Sequence, residues 1–148
     1  MKKVIVFLAA AAFALQVNAQ TTPEKVMDKD VPTAVSGTFK KAHPNASMIS
    51  WKKMDGKYAA EYDENSTKTW SVYDASGKLV ETKVKIKESE APQAVVDYAN
   101  NNHKDILGKD YYKITDAKGV VTYAYKANDK KLIFDSKGNY IKTEDCKD

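Results

Sequence analysis

Between residues 47 and 86, apolar and aromatic side chains recur at every second position in four successive stretches. Ile49, Trp51 and Lys53 share one side of the first, and Tyr58, Ala60 and Tyr62 one side of the second. Trp70 and Val72 mark the third, and Val80, Val84 and Ile86 the fourth. A period of two is that of a β-strand, whose side chains alternate between two faces. Breakers fall between these stretches at Asp55-Gly56, Asp63-Glu64-Asn65-Ser66 and Asp74-Ala75-Ser76-Gly77. The same plan returns downstream with Tyr112 and Ile114, Tyr123 and Tyr125, Leu132 and Phe134, then Tyr140 with Ile141 on the opposite face. A helical period precedes each set of strands, in Val31, Val35, Phe39 and Ala42 and again in Ala91, Val95, Tyr98 and Ala99. Pro32 and Pro92 suit a first helical turn. The acids just ahead, Asp28, Asp30, Glu88 and Glu90, suit the positive end of the helix dipole. Pro44 disfavours helix in the residue before it, which predicts that the first helix stops near His43.

The two sets read as copies. Val72 to Val80 aligns with Ile133 to Ile141 at an offset of 61, and Pro32 with Pro92 and His43 with His103 at an offset of 60. The sequence therefore predicts a tandem duplication, 30–88 and 89–148, behind a lead-in over 20–29. One helix and about four antiparallel strands, twice over and joined in one compact unit, is an α+β fold. Each copy closes on Asp-x-x-Gly, which reads as a hairpin turn. Asp74 and Asp135 accept local backbone hydrogen bonds there, and Gly77 and Gly138 supply a positive φ.

The chain begins with Lys2 and Lys3, an apolar run from Val4 to Leu15, and the small-residue pattern Val17-Asn18-Ala19. This predicts a signal peptide over 1–19, cleaved after Ala19, and a protein that works secreted or in the periplasm. No second apolar run long enough to span a bilayer follows it. All 24 basic residues are Lys, interspersed with acids, and losing Lys2 and Lys3 lowers the formal charge from +4 to +2. Without Arg forks or a basic stripe, a nucleic-acid partner is not expected. Cys146 is the only cysteine, so no internal disulfide can form and stability must come from the core.

The sequence offers little chemistry. HExxH, CxxC, GxSxG and phosphate-loop patterns are absent, and an enzyme is not expected. His43 and His103 fall at equivalent helix ends, where a cationic imidazole meets the negative end of the dipole. No cofactor or metal is expected, and Met48 and Met54 read as strand residues. The aromatic load is the informative feature, because a sheet covered on one side cannot bury both faces. Trp51, Tyr58, Tyr62, Trp70, Tyr123 and Tyr125 are the candidates for a partner-binding surface, since Tyr and Trp combine large contact area with a polar tip.

Signal peptide, doubled copies, Val-Pro-x-Ala-Val (Val31 to Val35) and Ala-Pro-x-Ala-Val (Ala91 to Val95) opening the helices, the Trp51 strand, the Tyr-rich strand and the Asp-x-x-Gly hairpin together resemble the PepSY-like, or β-lactamase-inhibitor-like (BLIP-like), secreted proteins of Bacteroidetes. The resemblance covers essentially the whole mature chain. It implies helices packed on one sheet face and an open face that docks a protein or peptide. The chain departs from the inhibitor pattern in having shorter repeats and no paired cysteines, so β-lactamase inhibition itself does not carry over. The expected function is a non-catalytic binding module, possible partners including a peptidase or other hydrolase. The alternative is an extracytoplasmic small-ligand or metal carrier using His43, His103 or the acidic turns.

Overall fold

The computed structural model describes residues 22–106 and 109–146; the expected signal peptide, 1–19, lies outside the described residues. Among the described residues, nine strands form one sheet. In chain order they are β1 (Glu24–Val26), β2 (Ser47–Met54), β3 (Lys57–Glu64), β4 (Thr67–Tyr73), β5 (Leu79–Ile86), β6 (Asp110–Asp116), β7 (Val121–Ala127), β8 (Lys130–Phe134) and β9 (Tyr140–Asp145). Helix α1 (Thr33–Ala42) lies between β1 and β2, and α2 (Gln93–Asn102) between β5 and β6. Strand order in space equals strand order in sequence, and every neighbouring pair is antiparallel.

The helix boundaries follow from local chemistry. Pro32 and Pro92 stand just outside the helices as caps, their carbonyls accepting the first bonds from Val35 and Val95, each at 2.9 Å. The acids ahead of them form separate single 3-10 turns, Asp28–Asp30 and Glu88–Glu90, rather than the first helical turn. His43 and His103 close the helices through backbone N–H bonds to Phe39 and Ala99, at 2.8 and 2.9 Å. Strand β1 has no counterpart in the sequence reading. Three residues cannot display a period, and Glu24–Val26 is a strand only because Lys53 to Trp51 offers it an edge.

The hairpin loops keep their expected chemistry. Asp55-Gly56 and Asn65-Ser66 take positive φ at both positions, as a two-residue loop between right-twisted strands requires. Asp74 accepts through Oδ1 from the backbone of Ser76 (2.9 Å) and Lys78 (3.0 Å), and Asp135 likewise from Lys137 and Asn139 (both 2.9 Å). A third turn of this kind, Asp116 to Gly119, joins β6 to β7, with Asp116 accepting from Lys118 and Val120 at 2.8 and 2.9 Å. Gly77 has φ +87° and also touches α1: a Cβ there would lie 2.5 Å from the Ala34 carbonyl oxygen. The β4–β5 turn is thereby seated on the helix.

Register assigns the faces, because antiparallel partners point the same way. Tyr62 pairs with Thr69, Thr69 with Val84, Ile86 with Tyr111, Tyr111 with Tyr125 and Tyr125 with Leu132, so these share one face across the sheet. That face holds the buried core in two clusters. In the first, Val35 and Phe39 of α1 meet Trp51, Tyr58, Ala60, Tyr62 and Tyr73. Phe39 is its centre, edge-on to Trp51 (5.2 Å between centroids) and to Tyr62 (4.9 Å). In the second, Val95, Val96 and Ala99 of α2 meet Tyr111, Tyr125, Ala127, Leu132 and Phe134.

Candidate functional site

Five of the six aromatic residues expected to meet a partner lie on the helix-bearing face. Trp51, Tyr58, Tyr62 and Tyr125 are only 3%, 9%, 1% and 0% exposed, so as built they have no surface to offer. Tyr123 pairs with Phe134, faces the same way and packs against the second cluster. The physical reason is parity: Tyr58 pairs with Tyr73 and Tyr62 with Thr69, which commits them to the helix side. Trp70 alone has the opposite parity. The sequence-derived surface is corrected accordingly: Trp51, Tyr58, Tyr62 and Tyr125 are core, Tyr123 is half-buried beside them, and the hydroxyls of Tyr62 and Tyr125 are used inside.

Those hydroxyls engage the two histidines. His43 Nδ1 donates to Glu64 Oε2 at 3.0 Å, the Tyr62 hydroxyl and His43 Nε2 are hydrogen-bonded at 3.2 Å, and Ser71 Oγ lies 3.0 Å from the Tyr62 hydroxyl. His103 Nδ1 and the Tyr125 hydroxyl are hydrogen-bonded at 2.8 Å. Serine, tyrosine, histidine and glutamate in a line suggest a proton relay to a nucleophile. Ser71 is fully buried, however, and no substrate atom could reach its oxygen. The line is internal architecture that satisfies polar groups beneath α1. Burial pushes the hydroxyl pKa of both Tyr62 and Tyr125 up, which keeps them neutral. At the turns, the Ser76 and Asn139 side chains hold the Asp74 and Asp135 carboxyls below their usual range. Among the described residues, no three His, Cys, Asp or Glu side chains are grouped as a metal would need.

The other face carries a different set. Glu61, Trp70, Lys83, Ile114 and Thr122 form one row across β3 to β7. The next row holds Lys85, Tyr112, Ala124 and Ile133. Ile114 and Ala124 are 8% and 1% exposed although no described helix lies over them. Beside their strand partners Lys83 and Tyr112 the face forms a trough. Thr22, Pro23, Met54 and Asp55 come from one end of the sheet and Lys126, Lys131, Asp145 and Cys146 from the other, and together with Lys83 and Tyr112 they line one cavity of about 530 Å³. A second, of about 260 Å³, lies against Ala59, Glu61, Trp70 and Val72 and shares Pro23, Met54, Asp55 and Lys83 with the first.

Lys83 stands where the two cavities meet. Its Nζ lies 4.2 Å from the Trp70 ring centroid and 5.2 Å from that of Tyr112, and the two rings meet edge to face at 5.7 Å. Cation–π contact of this kind contributes on the order of 1 kcal/mol and fixes where the ammonium points. Other lysines around the trough are ion-paired: Lys68 with Glu61 (2.6 Å), Lys131 with Glu144 (2.8 Å), Lys142 with Glu144 (2.7 Å) and Lys85 with Asp110 (2.6 Å). Lys83 forms no ion pair with a described residue. Burial, and then the cation of Lys131, hold its pKa below the usual lysine value, while burial pushes Tyr112 up to about 12. Sequence reasoning named Trp70 but missed Lys83 and Tyr112. Both stood on strands whose parity was legible, yet one lysine among 24 carries no mark of its own.

Solved structures from Bacteroides share this fold. A protein described as periplasmic, from Bacteroides eggerthii, is 18% identical with a TM-score of 0.69, over 78% of this chain and 88% of that one. A DUF2874-family protein from Bacteroides uniformis is 18% identical with a TM-score of 0.66, over 77% and 88%. A BLIP-like protein from Bacteroides fragilis is 18% identical with a TM-score of 0.56, over 79% and 88%. No protein-family model matches the sequence, and no curated protein does. At this identity the likeness speaks for the fold, and at that level the BLIP-like resemblance read from the sequence holds. Among the described residues, no helix is long and apolar enough to cross a membrane.

Proposed function

We propose that this chain is a secreted or periplasmic, non-catalytic binding protein that receives a segment of another protein in the trough on the uncovered face of its sheet. We propose also that its halves, 30–88 and 89–148, are tandem copies. The observation that carries the functional reading is the trough itself: a concave surface presenting Trp70 and Tyr112 around a fixed ammonium, on strands held rigid by a packed core behind them. Aromatic rings on a preformed concave surface bring contact area at little cost in conformational entropy. The description of the Bacteroides eggerthii protein as periplasmic agrees with the leader expected over 1–19. Were the partner a hydrolase, inhibition would follow from occlusion, with no chemistry asked of this chain.

The test is retention of envelope proteins on the immobilised protein, read by mass spectrometry against a Trp70→Ala/Tyr112→Ala control whose circular dichroism matches the parent. One partner retained by the parent and lost by the control is the expected result. Equal retention by both, or none by either, overturns the reading.

A further inference from the structure

We infer that the trough is a carboxylate receptor, in which Lys83 receives an acidic side chain from a peptide segment of the partner. The inference rests on the binding role proposed for this face and specifies its chemistry.

The ammonium of Lys83 is half-buried in the trough between the Trp70 and Tyr112 rings and has no anionic partner among the described residues. The acids near it are engaged: Glu61 with Lys68, Glu144 with both Lys131 and Lys142, and Asp145 with Lys130, while Asp55, on the lining of both cavities, has an interaction of its own. Glu81, on Lys83's own strand and face, makes no ion pair with it. A poorly solvated, unpaired charge costs free energy that an incoming opposite charge returns. Trp70 and Tyr112 hold the ammonium where the two cavities join, so it cannot readily swing away to solvent. Lys131, paired with Glu144, and Lys126 stand on the wall of the larger cavity with Lys83. Lys83, Lys126 and Lys131 stand against Asp55 and Asp145 on that lining, three positive charges to two negative, so an entering anion meets a net positive wall.

The rest of the lining decides for a peptide. Ala59, Val72 and Met54 form an apolar floor beside the charge. Apolar contact of this kind suits the methylenes of Glu and the side chains next to it in an extended chain. The volumes, about 260 and 530 Å³, suit a few side chains.

The experiment is a titration of isotopically labelled protein, following the Trp70 indole N–H and the Tyr112 backbone amide by nuclear magnetic resonance. The probes are acetyl-Gly-Glu-Leu-Glu-Gly-amide, its Gln-for-Glu counterpart and free glutarate. Saturable shifts at both reporters are expected with the Glu peptide, at least tenfold weaker with the Gln peptide and with glutarate. Lys83→Gln should weaken the Glu peptide at least tenfold while leaving the remaining spectrum in place, and Lys83→Arg should retain most of its affinity. Equal affinity for Glu and Gln peptides, no saturable shift at millimolar peptide, or indifference to Lys83→Gln would overturn the inference. Glutarate binding as tightly as the peptide would overturn the choice of a peptide. A partner captured through Trp70 and Tyr112 that ignores Lys83→Gln would leave the binding role standing and remove only the carboxylate.

Discussion

The two halves of the covered face solve one packing problem in opposite ways. Phe39 and Ala99 hold the same place, four residues before the histidine that closes each helix. Counted from the shared Asp-x-x-Gly turns, Tyr73 pairs with Tyr58 and Phe134 with Tyr123, so the next row holds Ala60 and Ser71 in the first half and Tyr125 and Leu132 in the second. The first half thus sets a large residue on the helix above a small one on the strand, and the second half reverses them. Total volume is what the space between helix and sheet demands, and either element can supply it. The polar consequence differs. Tyr62, one row beyond Ala60, threads Ser71, His43 and Glu64 together, whereas Tyr125 reaches only His103.

The largest effect should come from breaking that exchange of volumes. Phe39→Ala leaves a ring-sized void between α1 and four aromatic neighbours and should cost about 3–5 kcal/mol in urea denaturation. Adding Ala60→Tyr imports the second half's arrangement and should recover at least about 1 kcal/mol of the loss. A double variant no more stable than Phe39→Ala alone would sink the volume argument.

Removing single hydroxyls should sharpen the polar difference. Tyr62→Phe removes the hydroxyl that joins fully buried Ser71 to His43 and should cost about 1–3 kcal/mol. Tyr125→Phe loses one bond to a half-buried imidazole and should cost about 1 kcal/mol. Matched urea curves with equal losses would mean that the longer thread adds nothing.

The smallest effect lies where the halves agree. Asp74 and Asp135 have folded-state pKa values below their unfolded ones, so their contribution is present above the ordinary carboxylate range, near ~4, and is lost as pH falls through the folded value. Thermal melts between pH 6 and pH 2 should show a shallower acid loss in Asp74→Asn and in Asp135→Asn, by similar amounts. An acid limb unchanged in both variants would place the titration elsewhere.

Eight of the nine strands were legible because period two survives on both faces of a sheet. Which face was covered was not, since parity marks Tyr62 and Trp70 as opposite without saying which is inside. Strand rows are equally invisible to alignment: matching Tyr62 with Tyr125 by sequence sets side by side two residues that stand one row apart. At Met48 (φ 55°) the β2–β3 register shifts, leaving Ile49 exposed while Trp51 is buried, a bulge that no period announces. The turn Asp116-Ala117-Lys118-Gly119 obeys the rule stated for Asp74 and Asp135 and is readable by it. The trough lay beyond any such rule. It depends on a curl that brings Met54 and Cys146 to the same cavity, a long-range outcome with no local signature.

The unbroken strand order has a kinetic meaning. Each strand finds its partner in the strand before it, across loops as short as Asp55-Gly56 and Asn65-Ser66, and only the two helices interpose longer excursions. Little chain entropy is spent before each pairing is rewarded, which is the circumstance that makes folding fast for a protein dominated by β-structure. A chain built this way can add strands in the order in which they emerge, each new hairpin growing on the edge left by the last.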